Sequence, residues 1–329
     1  MRAKKVCATC LKVVFAVVLV FCSVYSAGAA NLDPGSLKFV FLAPDLANTW
    51  VAALKDGFEA GCKELGIGNY VSLNAASDLN RQVADLENSI GGGYNAVVFC
   101  PMDAAAEESL IDEATSKGIA TVAVAQVAKN TTAGIELDEK AYGILIATNL
   151  VNWVKANISE TGKGASVLLL AEDSLPTSIA RGDAIEKTVK DNLPEAVWAG
   201  RQNAHVPELG LKVTESVLLS HPELNVVVSC NDSGALGGYE AMKNAGHNGK
   251  KNYGVFGGDA TEPALAAMKE EGSIYRATAD LYPYESGVKA VKMAYEYLKN
   301  GLPKEHVVEP LGMMPVTQED VLTGKYPPQ

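Results

Sequence analysis

Residues 37–65 read LKFVFLAPDLANTWVAALKDGFEAGCKEL, and two different periodicities lie side by side in them. Leu37 to Ala43 is a short run, apolar except for Lys38. A continuous apolar run of this length predicts a strand covered on both faces, as in a parallel sheet. Trp50, Leu54, Phe58, Cys62 and Leu65 then recur at spacings of three and four, which places them on one face of a helix. A buried strand leading into an amphipathic helix is the first half of a βαβ unit.

The same alternation continues outward. Further short runs lie at Tyr70–Asn74, Ala96–Cys100 and Ala120–Ala125, with a brief one near Ile135. A second series follows at Ala165–Ala171, Ala196–Asn203, Val226–Cys230, Tyr253–Gly257 and Ile274–Ala279. Helical patterns occupy 80–90, 107–117, 139–157, 208–220, 234–245, 262–271 and 283–300. Two series of strand–helix units predict an α/β protein of two doubly wound parallel-sheet lobes. No Gly/Ser-rich or Pro-rich tether separates them, so short crossings join the lobes.

The first 29 residues read as a signal peptide. Arg2, Lys4, Lys5 and Lys12 precede an apolar run from Val13 to Val24, and Ala27-Gly28-Ala29 supplies small residues for cleavage after Ala29. The run is short of the roughly 20 residues a spanning helix needs. Phe21 before Cys22 argues against lipidation at that cysteine. Without the four basic residues of this segment, 39 acids against the remaining 24 of 28 bases leave the mature chain at −15. That surface disfavours nucleic acid and anionic membranes as partners. Cys62, Cys100 and Cys230, three widely spaced cysteines, make no disulfide framework and read as buried thiols.

Enzyme motifs are missing. No GxxxxGK[ST] or GxGxxG loop follows a strand, and no GxSxG elbow occurs. Gly91-Gly92-Gly93 follows a helical pattern and reads as its stop. His205, His221, His247 and His306 show no metal-ligand spacing. The chain reads as a binder with no catalytic residue, metal or cofactor.

Ligands of open α/β sheets lie beyond the carboxyl ends of the strands. The polar residues there are Asp45, Asn48 and Trp50 after the first strand, then Asn74, Asp103 and Gln126. In the second series they are Glu172 and Asp173, Asn203 to His205, Asn231 and Asp232, Asp259, and Asp280. Each taken alone also suits a helix cap or turn. The candidate ligand-binding set is Asp45, Asn48, Trp50, Asp103, Gln126, Asp173, His205, Asn231, Asp259 and Asp280.

These residues carry a resemblance. Asn48-Thr49-Trp50 with Leu54-Lys55-Asp56-Gly57, Ser220-His221-Pro222-Glu223-Leu224 leading to Cys230-Asn231-Asp232, Gly257-Gly258-Asp259, and Arg181-Gly182 together resemble the type I periplasmic sugar-binding proteins of the ribose-binding group, from about Leu37 to Leu311. The resemblance implies three crossings, near Asp138, Asp280 and Glu309. Lobe one would then be 31–138 plus 282–308, and lobe two 139–281 plus 309–329. It implies sugar contacts at Asn48, Asn231 and Asp259 and an aromatic surface at Trp50. The family's acid–arginine pair is Ala125-Gln126 here, its second sugar arginine falls on Ile179 with Arg181 as neighbour, a glutamine becomes Asp280 and an aromatic becomes His205. Fold and transport role therefore carry over, while ribose specificity does not.

The resemblance implies a monomeric periplasmic receptor that delivers a small solute to the permease and ATPase of an ABC importer. A sensory role, presenting the ligand to a chemoreceptor, uses the same closed form. A DNA-binding regulator would need a helix-turn-helix where the signal peptide stands. With both family arginines gone, the crevice acids need donors from the ligand. The expected ligand is a neutral polyhydroxy compound, such as a sugar or polyol, with a cationic amine as the alternative. Phosphorylated and carboxylated ligands are disfavoured because no bidentate cationic fork is in place.

Overall fold

A computed structural model describes residues 32–174 and 176–326. The leader, its cleavage point and Cys22 lie outside the described residues. Two six-stranded sheets account for all the strands described. The first is built from β1 (Lys38–Ala43), β2 (Asn69–Asn74), β3 (Ala96–Phe99), β4 (Ala120–Ala125), β5 (Ala133–Glu136) and β11 (Val307–Pro310), in the order β2-β1-β3-β4-β5-β11. The second takes β6 (Ser166–Ala171), β7 (Val197–Asn203), β8 (Val226–Ser229), β9 (Gly254–Phe256), β10 (Tyr275–Asp280) and β12 (Met314–Thr317), in the order β7-β6-β8-β9-β10-β12. The two orders are the same pattern, with the reversal of direction that marks a doubly wound sheet.

Central strands are buried end to end: β3, β6 and β8 expose nothing. The edge strands β2 and β7 are partly exposed, so their runs are less purely apolar than the others. Ten helices connect and cover the strands. They are α1 (Thr49–Leu65), α2 (Leu79–Gly91), α3 (Ala104–Ser116), α4 (Glu139–Asn157), α5 (Pro176–Asn192), α6 (Pro207–Ser220), α7 (Asp232–Asn244), α8 (Glu262–Lys269), α9 (Pro283–Asn300) and α10 (Gln318–Leu322). None is long and apolar enough to cross a membrane. Cys62, Cys100 and Cys230 are free and buried, and burial pushes the Cys62 thiol up to about 12.

The chain passes between the sheets three times: after β5, after β10, and between β11 and β12. The third passage corrects the expected boundary. Glu309 and Pro310 pair with Ile135 and Glu136 in the first sheet, so the passage is Leu311 to Met313. β12 is entered directly from the facing sheet and runs back from the shared edge. It is therefore antiparallel to β10, whereas every other pairing is parallel. α5, β11, β12 and α10 were absent from the sequence reading. α5 carries few apolar residues, and the closing strands are only four residues long.

α9 returns from the second sheet to pack on α1. A Cβ at Gly57 would sit 1.9 Å from the Tyr284 carbonyl oxygen, and one at Gly287 would sit 2.2 Å from that of Leu54. The two glycines let the helices touch backbone to backbone, which fixes the start of α9 beside the opening helix.

Candidate functional site

The first lobe's edge is held by helix caps and by bonds between neighbouring loops. Asp45 accepts the Ser77 hydroxyl (2.6 Å) and the Ala47 amide (2.9 Å), which hold its carboxyl below the usual range. Asn48 caps α1 by accepting the amides of Trp50 (2.9 Å) and Val51 (3.3 Å). Asn74 accepts the amides of Leu46 and Ala76, each at 3.1 Å. Asp103 caps α3 through the amides of Ala105 and Ala106. Both oxygens of Asp45, the Asn48 oxygen and one oxygen of Asp103 are thus engaged in turns and caps, which leaves Asn48 its amide donors. Gln126 follows Ala125, whose φ of 71° is a left-handed conformation rare outside glycine. Trp50 is half-buried, and its Nε1 donor has no partner among the described residues.

The second lobe's edge is a connected network. Asp232, the first residue of α7, is fully buried. Its carboxylate accepts the Tyr275 hydroxyl (2.7 Å), the Thr278 hydroxyl (2.7 Å), and the amide (2.7 Å) and hydroxyl (3.1 Å) of Thr261. Asp259 stands beside it with φ 105°, a strained value for a non-glycine residue, held by its amide's bond to the Ala279 carbonyl (2.6 Å). Its Oδ1 accepts a long bond from the Tyr142 hydroxyl (3.3 Å), which also donates to the Ala279 carbonyl (3.0 Å). Burial, then the neighbouring Asp232 charge, raises the Asp259 carboxyl well above the usual carboxylate range. Burial likewise raises Asp232.

The cation nearest this pair is Arg181, and it is taken. Nε donates to Glu139 (2.6 Å), Nη1 to the Cys230 carbonyl (2.9 Å), and the guanidinium lies 4.8 Å from the Tyr142 ring centroid. Asn231 caps α7 through the Gly234 amide (2.9 Å) and donates to the His205 carbonyl (3.0 Å). His205 Nε2 lies 3.7 Å from Glu172, and its buried Nδ1 has no partner among the described residues. Asp173 is paired with Arg201, which also reaches Asp183 and Glu186, so this candidate is engaged at the lobe's edge strand.

The second and third crossings meet at the remaining candidate. Asp280 is 7% exposed and accepts the Tyr282 amide (2.8 Å) and the Tyr326 hydroxyl (2.8 Å), and burial raises its carboxyl. Tyr282 has φ 48° and donates its hydroxyl to Met314 sulfur (2.6 Å). Asp259 and Asp280 share a cavity of about 230 Å³ with Tyr282, Tyr284, Glu285 and Tyr326. A larger concavity of about 1300 Å³ runs along α1 and α9 from Tyr284 to Tyr297. It is an open groove in which two lysines pair with its own acids, Lys289 with Glu309 and Lys292 with Glu64, and it holds no orphaned polar group among the described residues. The smaller cavity has the better chemistry.

The structure therefore brings Asn231, Asp259 and Asp280 together with the unselected Tyr142, Arg181, Asp232, Tyr282 and Tyr326. Tyr142 and Tyr326 carried no strand-end signal. Tyr282-Pro283 did: a residue before proline is disfavoured in the right-handed helical region, so a helix after this strand starts no earlier than Pro283.

Comparison with known proteins places the chain. Residues 39–302 match the model of the periplasmic binding protein domain, and the chain belongs to that family. Among curated relatives, the ribose import binding protein of Bacillus subtilis is 27% identical over 231 residues, covering 68% of this chain and 70% of that one. The D-ribose/D-allose-binding protein of Pseudomonas aeruginosa is 26% identical over 312 residues, covering 89% and 94%. An ABC transporter periplasmic solute-binding protein of Actinobacillus succinogenes, solved with D-allose, superposes with a TM-score of 0.75 at 22% identity, covering 87% of this chain and 99% of its own. Members of this family bind solutes for transport rather than catalysing reactions.

Proposed function

We propose that this chain is the periplasmic receptor of an ABC importer and binds a small polyhydroxylated solute without negative charge between its two sheet edges. Two orphaned nitrogens carry the reading. Trp50 Nε1 on the first lobe and His205 Nδ1 on the second are buried polar atoms without partners among the described residues, one in the first turn of the helix after β1 and the other two residues past β7. Buried polar groups are nearly always satisfied. One orphan on each side of the interlobe edge is what a hydroxylated solute bridging the lobes would satisfy. The relatives' names, ribose import and ribose/allose binding, support a carbohydrate-like ligand. Hinge closure around the solute would give the permease and its ATPase a shape to recognise. Export would follow cleavage after Ala29, and N-terminal sequencing of the secreted protein tests that step.

The central test is a thermal-shift screen against sugars and polyols, followed by titration of the best solute with Trp50 fluorescence as readout. A ligand that binds only the folded form raises the melting temperature. Trp50→Phe should remove most of the fluorescence response that Trp153 and Trp198 do not supply. Asp259→Ala should weaken binding by about 1–3 kcal/mol, the usual cost of leaving buried donors unpaired. Unchanged affinity in Asp259→Ala would refute this placement of the ligand.

A further inference from the structure

We infer that the cavity at the crossings receives an ammonium group, so that the solute is an amino-substituted polyol or sugar. The inference rests on the binding role proposed above and narrows the ligand class of that same cleft. The cavity joins the lobes: Asp280 ends β10 and Asp259 follows β9 of the second sheet, while Tyr284 and Glu285 open the helix that returns to the first. Three carboxylates and three tyrosines line it, and no lysine or arginine does.

The nearby cations are already engaged. Arg181 is held by Glu139, the Cys230 carbonyl and the Tyr142 ring. Lys289, one turn along α9 from Glu285, pairs with Glu309 at 2.6 Å. The acids are not matched. Asp259 has one long bond from Tyr142, and its neighbour Asp232 has already taken four donors. A second charge next to Asp232 has no internal counter-ion left, so the Asp259 carboxyl is charged only when a cation comes from outside.

The rings specify what kind of cation fits. Tyr282 is fixed by its left-handed backbone and its bond to Met314, and Tyr326 by its bond to Asp280. Gly312 lies against the Tyr282 ring, where a Cβ would come within 3.1 Å of it. Tyr284 remains 46% exposed and is free to close over an occupant. Fixed aromatic faces beside carboxylates attract a compact organic cation by ring quadrupole and charge together. A volume of about 230 Å³ holds an ammonium with its first carbons and leaves the hydroxylated remainder of the solute outside it.

The test is calorimetric titration with matched pairs: D-sorbitol against 1-amino-1-deoxy-D-sorbitol, and D-glucose against D-glucosamine and N-acetyl-D-glucosamine. Tetramethylammonium serves as a bare cation probe. The ammonium member should bind roughly tenfold or more tighter than its neutral partner. The advantage should shrink in Tyr284→Ala and Glu285→Gln, two exposed positions whose variants keep the fold. Equal or tighter binding of the neutral members overturns the inference and leaves the solute-receptor reading intact. If neither these compounds nor tetramethylammonium bind and no sugar or polyol raises the melting temperature, both fall. An ammonium preference that survives both substitutions overturns the assignment to this cavity.

Discussion

Glu107 in the first lobe and Asp232 in the second are both wholly buried acids in the first turn of a helix that follows a strand. They are held in opposite ways. Asp232 accepts four hydrogen bonds, all from three residues more than 25 positions away. Neither oxygen of Glu107 has a partner among the described residues. The amides of Met102 and Asp103 lie close enough to favour its charged form in part, but that of Met102 is given to Gln82 (2.8 Å). Burial wins and pushes the Glu107 carboxyl up to about 7. The contrast extends along both edges. The first lobe's edge is fixed by caps and by single bonds between loops, and the second by a buried network converging on one carboxylate. The second lobe is thus the preorganised half of the site, with the first presenting groups from separately capped helices.

The comparison would break first at Asp232. Asp232→Ala orphans the Tyr275 and Thr278 hydroxyls in the core and should cost about 3–5 kcal/mol in urea unfolding. Glu107→Gln, which removes a burden rather than a partner, should leave stability at neutral pH unchanged or raised. If the two substitutions cost the same, the contrast is wrong. Next come the caps. Asp103→Ala should cost about 1 kcal/mol, the usual value for an N-cap side chain, without the wider disruption expected at Asp232.

The third prediction concerns pH. The Glu107 carboxyl is raised on folding from about 4.5 to about 7. Its contribution is fully present below the unfolded value and is lost as pH rises through the folded one. Stability should therefore decline between about pH 4.5 and 7, and Glu107→Gln should flatten that decline in parallel denaturation curves. Asp103, the charged neighbour facing it, stays in place in that variant and serves as the control. The smallest effect is expected at the exposed pair Lys187–Asp191 on α5, where Lys187→Ala should change stability by less than about 0.5 kcal/mol.

The difference between the lobes also explains what could be read in the sequence. β1 and α1 were legible because their periodicity is local and burial rewards it. Asn48 and Asp103 were legible as strand-end polar groups, and the cap role weighed against binding is the one their side-chain oxygens play. Asp259 was placed at the correct edge, but its strained φ and its dependence on Asp232 arise only when β8, β9 and β10 lie side by side. Tyr142 and Arg181, separated by 39 positions in sequence, meet only because α4 packs on α5. The two closing strands escaped because a four-residue strand is defined by its partner rather than by its own pattern.

One consequence of the triple passage concerns fragments. Residues 32–138 hold five of the six strands of the first sheet, but β11 and α9 are supplied from beyond residue 280. Cut out alone, that stretch would bare the hydrogen-bonding flank of β5 and the glycine-lined side of α1, an open invitation to self-association. The stretch 139–281 would bare β10 in the same way. Neither half is a module that recombination or truncation could transplant as a single uninterrupted piece. A chimera that exchanges one lobe must exchange two separated segments, with junctions placed at all three passages.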